Sequence, residues 1–100
     1  MPLNIYGYDF EGPYSSPDQL PEYAGVYTVW CYKLSSRLLI DAGQAENVKE
    51  RLEYHDRKNC WEKYCSGLIY FCVAEVPDEL LRGLLENKLR QGYRPLCGEK

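Results

Sequence analysis

Gly25-Val26-Tyr27-Thr28-Val29-Trp30-Cys31-Tyr32 is the stretch that decides the fold. Its β-branched and aromatic residues fit a pleated strand and little else. Lys33-Leu34-Ser35-Ser36 then reads as a turn, and Arg37-Leu38-Leu39-Ile40-Asp41-Ala42 as a second strand. So short a connection makes the pair an antiparallel hairpin. Gly43 closes the second strand.

Working outward, residues 46–56 carry a helical pattern in which Val48, Leu52 and His55 share a face. A weaker segment around Asn59-Cys60-Trp61 follows, and 67–75 (Leu68 to Ala74 at its centre) is a third strand. Pro77-Asp78 opens a last helix over 77–91, with Leu80, Leu81, Leu84, Leu85 and Leu89 as its expected buried stripe. Gly92 and Pro95 stop it. Upstream, residues 1–24 are rich in Gly, Pro and Ser and read as an irregular lead-in, packed on the domain through Tyr6, Tyr8, Phe10 and Tyr14. The expected fold is α/β of the α+β type. A small, three-stranded, mostly antiparallel sheet over 25–32, 37–42 and 67–75 carries flanking helices in the order β-β-α-β-α, in a domain spanning 25–100.

At 100 residues the chain holds one domain. A net charge of -3 argues against a surface that grips nucleic acid throughout, and leaves room only for a local basic patch. Between Lys49 and Lys63, basic and acidic residues nearly cancel, as on a solvated mixed-charge face. Ten tyrosines suit an interface, so a homodimer is compatible with the composition. The cysteine count is five, odd, and no secretory leader precedes it, so five free thiols and a cytoplasmic setting are expected. No apolar run has the length to span a bilayer, so no membrane partner is expected. Cys60 and Cys65 lack a second pair and the chain has a single histidine, so no zinc spacing stands out. Phosphate-cradling glycine loops and a nucleophile elbow are also lacking.

Gly43-Gln44-Ala45-Glu46-Asn47-Val48-Lys49-Glu50-Arg51-Leu52-Glu53-Tyr54-His55 carries the chemistry. A strand ends in glycine, a polar turn follows and a helix begins. Arg51 and His55 are four apart, so they share one face of that helix, and Tyr27 lies on the neighbouring strand. A phenol, a guanidinium and an imidazole are thereby aimed toward one cleft.

Gly25-Val26-Tyr27, Asp41-Ala42-Gly43-Gln44, Asn47-Val48, Arg51-Leu52 with His55, and the later Glu86, Leu89, Tyr93 and Pro95 together resemble the GIY-YIG nuclease superfamily, in the family's order and over residues 25–98. The resemblance implies that Tyr27 helps activate the attacking water and that Arg51 steadies charge on the scissile phosphate. His55 would assist proton transfer, and Glu86 would hold one divalent metal, Mg2+ or Mn2+. Gln44, Lys49 and Arg51 would contact nucleic acid, with DNA the expected substrate, the domain acting either alone or beside a separate partner that supplies targeting. Asp41 stands where the family's second motif begins with a tyrosine, and Gly98 where an asparagine is usual. Two functions follow from the resemblance: a metal-dependent endonuclease acting on DNA, or a catalytically degenerate member serving as a nucleic-acid or protein interaction module.

Overall fold

The protein is described here by a computed structural model covering residues 3–98. Its elements are β1 (Leu3–Ile5), β2 (Tyr8–Tyr14), a 3-10 turn (Pro17–Gln19), β3 (Gly25–Lys33), β4 (Ser36–Ala45), α1 (Val48–Glu53), α2 (Lys58–Tyr64), β5 (Leu68–Glu75) and α3 (Glu79–Tyr93). The strands form one antiparallel sheet in the order β1-β2-β5-β3-β4. No helix among the described residues is long and apolar enough to cross a membrane.

β3 lies between β5 and β4 and is buried from Gly25 to Cys31, because helices cover both faces of the sheet. Tyr27, Val29 and Cys31 point to one face, where they pack with Val48 and Leu52 of α1 and Trp61 of α2. Val26 and Trp30 point to the other and pack with Leu85 and Leu89 of α3. This two-sided burial explains the unbroken apolar run that marked the strand in the sequence.

The hairpin and β5 lie where the sequence places them, but the three-stranded expectation understates the sheet. The lead-in, expected to be irregular, contributes β1 and β2. Tyr6 and Gly7 both take positive φ (54° and 86°), so a two-residue turn joins strands that pair Ile5 with Tyr8; primed turns of this kind match the strand twist. Gly12 (φ 130°) lies at a register irregularity between β2 and β5, where a side chain would strike the Phe71 carbonyl.

The helices also differ from expectation. Asn47 caps α1 by accepting from the Glu50 N–H at 3.0 Å, but the helix ends at Glu53. His55 therefore lies beyond it and does not share a helical face with Arg51. Asp78 caps α3 in the same way through the Leu81 N–H, and Arg94, at φ 51°, ends it two residues past Gly92. Of the expected leucine stripe only Leu85 and Leu89 are buried; Arg82 completes the buried face, while Leu80, Leu81 and Leu84 are exposed. The Arg82 guanidinium is accommodated by neutral acceptors, the Gln44 side chain and the carbonyls of Val76 and Pro77.

The cysteines correct the expectation of five free thiols. Cys31 joins Cys65 and Cys60 joins Cys97, leaving only Cys72 free, and that thiol is buried. An odd count is therefore satisfied by two bridges and one core residue. Both bridges end on or beside α2, tying it to β3 and to the segment after α3. Thiol titration of denatured, unreduced protein should report one reactive group, rising to five after reduction; three or more before reduction would contradict this pairing.

Candidate active site

Tyr27 and Gly43 are direct partners across the β3–β4 ladder. A Cβ at position 43 would collide with the Tyr27 hydroxyl and ring. Glycine is thus what allows the phenol to lie across β4. The ring is almost fully buried, and its hydroxyl ends 2.7 Å from His55 Nε2.

The break after α1 turns His55 inward, tilted against Trp61 and edge-on to Tyr27. The backbone N–H of Arg57 donates to His55 Nδ1 at 3.0 Å. Burial, followed by the Arg51 and Arg57 charges, pushes the His55 pKa down to about 4, against the opposing pull of Asp41 and Asp56. At neutral pH the ring is therefore uncharged, its Nδ1 is the acceptor, and its proton sits on Nε2. His55 donates to the Tyr27 oxygen and leaves the phenol's own proton for another acceptor. Burial holds the Tyr27 pKa above its ordinary value; Arg57 and Arg51 lower it, while Asp41 and Glu86 raise it further.

Asp41, where the family pattern has a tyrosine, is fully buried. Arg57 donates to it through Nε (2.8 Å) and Nη2 (3.2 Å), Arg90 through Nη2 (3.0 Å), Trp61 through Nε1 (2.7 Å), and the Ala42 N–H at 2.8 Å. Arg90 also donates to the carbonyls of Ala42 and Cys97. Both carboxylate oxygens are occupied, so Asp41 serves as an internal counter-ion.

Arg51 meets the exposed Asp56 at 3.1 Å and keeps about a third of its side chain in solvent. Glu86 is half-buried and shares Oε2 with Arg90 at 3.4 Å, lining a cleft of about 710 Å³ with Asn87, Arg94 and Leu96. Arg51 and Glu86 both act electrostatically on Tyr27, and Arg51 acts on His55 as well. Gln44 is not free, because its side-chain oxygen accepts from Arg82. Lys49 faces the 3-10 turn. There Asp18 is held below the usual carboxylate range chiefly by the Ser16 hydroxyl and, to a lesser degree, by the Lys49 charge.

Sequence reasoning missed Arg57 and Arg90. The available signal was Asp41 itself: a carboxylate inside Leu38-Leu39-Ile40-Asp41-Ala42 must find cations if it is buried. Among the described residues no three His, Cys, Asp or Glu side chains converge as a metal-holding group. Glu86, paired to Arg90 in a cleft that also holds Arg94, would have to hold a hard cation as its one carboxylate ligand, with waters filling the rest of the shell. No family model, curated protein or solved structure matches the chain.

Replacing Asp41 by Asn should leave two arginines partly uncompensated. The expected cost is about 2–3 kcal/mol in urea unfolding, below the range for fully buried pairs because both guanidinia touch solvent; an unchanged midpoint would contradict the counter-ion role. His55 has the opposite acid signature from an ion-paired histidine. Its pKa is depressed in the fold, so its contribution is intact above the unfolded value of about 6.5 and is lost as pH falls toward about 4. Relative to His55→Asn, the wild type should lose up to about 3 kcal/mol over that window. Parallel pH profiles for the two proteins would refute this reading.

Proposed function

We propose that this domain is a metal-dependent endonuclease of the GIY-YIG type, hydrolysing phosphodiester bonds in DNA. The observation that carries the reading is the Tyr27 phenol, bonded to His55 and acted on by the charges of Arg51, Arg57, Asp41 and Glu86. Phosphodiester hydrolysis needs an oriented nucleophile and charge stabilisation at phosphorus. Arg51 supplies positive charge at the surface, and its solvent-exposed pairing with Asp56 is weak enough to exchange for a phosphate. The free proton of Tyr27 orients an attacking water or a phosphate oxygen, while His55 fixes the phenol by donating to it. Glu86 would hold a magnesium or manganese ion, which when bound supplies Lewis-acid stabilisation near the leaving oxygen.

The acidic chain makes unaided DNA binding weak and salt-sensitive, which fits delivery by a separate targeting partner. The cytoplasmic setting expected from the odd cysteine count is opposed by the two disulfides, which fit an oxidising compartment. Two observations favour the second reading, an interaction module of the same fold. Tyr27 is only 1% exposed, and Asp41 has no lone pair to spare for a substrate or metal.

Supercoiled plasmid DNA separates the two readings. The enzyme should nick it with magnesium or manganese and spare it with chelator. Glu86→Ala should abolish cleavage and Arg51→Ala should slow it by about two to three orders of magnitude. An intact, folded wild type that cuts neither DNA nor RNA with any divalent metal would leave the interaction module as the function.

A further inference from the structure

Arg57 bonds to three of the residues that build the site, His55, Asp41 and Tyr27. Its backbone N–H fixes the acceptor nitrogen of His55. Its Nε and Nη2 fork onto the two oxygens of Asp41, and Nη2 also lies 3.4 Å from the Tyr27 hydroxyl. A guanidinium has five N–H donors, and these contacts use only one edge of it. Nη1 has no partner among the described residues, and the side chain keeps a quarter of its surface in solvent. Unlike Arg51, whose partner Asp56 is exposed and mobile in principle, Arg57 is anchored on a carboxylate with no exposure at all.

We propose that Arg57 is a phosphate-binding residue of this site, with Nη1 presented to a phosphodiester oxygen, and that Asp41 is its positioning residue. The proposal deepens the nuclease reading by adding a second cation to the phosphate seat. It also accounts for the aspartate in the second motif. There a tyrosine would offer its own hydroxyl; here the buried carboxylate holds a guanidinium against the same phenol. A guanidinium already oriented by one fork loses little freedom on meeting a phosphate, which is the geometry that suits arginine and not lysine. Electrostatics allow it as well, because Arg90 shares the Asp41 charge and leaves Arg57 only partly neutralised.

Two measurements on the oxidised, full-length chain test this. The first follows the Arg57 Nε–H resonance by NMR during titration with inorganic phosphate, in chelator. It should shift in the wild type and also in Arg51→Ala. The second measures binding of a fluorescent DNA oligonucleotide in chelator. Arg57→Ala should weaken it about tenfold and reduce the salt slope by about one, as expected for one lost phosphate contact. Arg57→Lys retains charge but cannot fork, and should recover only part of the affinity. Asp41→Asn, where folded, should weaken binding without changing the salt slope. An Arg57 resonance that stays fixed throughout the phosphate titration overturns the proposal whether or not the protein cuts DNA. So does wild-type affinity and salt slope in folded Arg57→Ala. A shifted resonance in a protein that cleaves nothing overturns the nuclease reading and leaves the phosphate site standing.

Discussion

The Asp41 carboxylate is the point at which the layers of this domain meet. It sits on β4, an edge strand, and takes a guanidinium from each side: Arg57, just before α2, and Arg90, from α3 on the opposite face of the sheet. Trp61 adds an indole N–H from within α2. Through Arg90 the same network reaches the Cys97 carbonyl, beyond α3. A buried charge on an apolar strand is tolerable only because every lone-pair direction is met, and losing one partner strands the others. The two helical layers are thereby registered on the sheet edge by one carboxylate.

That constraint shapes the chemistry beside it. Gly43, two residues along β4, leaves the space into which the Tyr27 phenol extends, and Arg57 closes over it from Asp41. His55 is neutral because it is buried between arginines, and its tautomer is set by a backbone N–H. The two disulfides hold α2, and with it Trp61 and the approach to Arg57, against β3 and the C-terminal segment. Arg51 and Arg57 keep part of their side chains in solvent, Glu86 lines the cleft beside Arg90, and the phenol and imidazole are buried.

Much of this was legible where the determinants are local. The hairpin and β5 follow from strand composition, and the start of α3 from Pro77-Asp78. Tyr27, Arg51, His55 and Glu86 were singled out from spacing and resemblance; His55 bonds the Tyr27 phenol, while Arg51 and Glu86 act on it only by charge. The errors have tertiary causes. β1 and β2 were hidden because their turn relies on Tyr6 at positive φ, a conformation that tyrosine does not advertise. Leu80, Leu81 and Leu84 have helical spacing, yet the face α3 buries runs through Arg82, Leu85 and Leu89, since Gln44 and two carbonyls accept the guanidinium. Cysteine pairing depends on strands and helices meeting across separations of 34 and 37 residues. Arg57 was lost in a run of balanced charge, because only the fold reveals which of those cations meets Asp41.

The central claim is that a phosphodiester sits against the arginines above Tyr27, with a divalent cation on Glu86. A crystal structure of the protein with manganese and a short phosphorothioate oligonucleotide tests it most directly, since manganese is located by its anomalous signal. The account predicts manganese on the Glu86 carboxylate and one backbone phosphate within hydrogen-bond distance of Arg51 and Arg57. Oligonucleotide bound on another face, with Glu86 free of metal and still paired to Arg90, would contradict it.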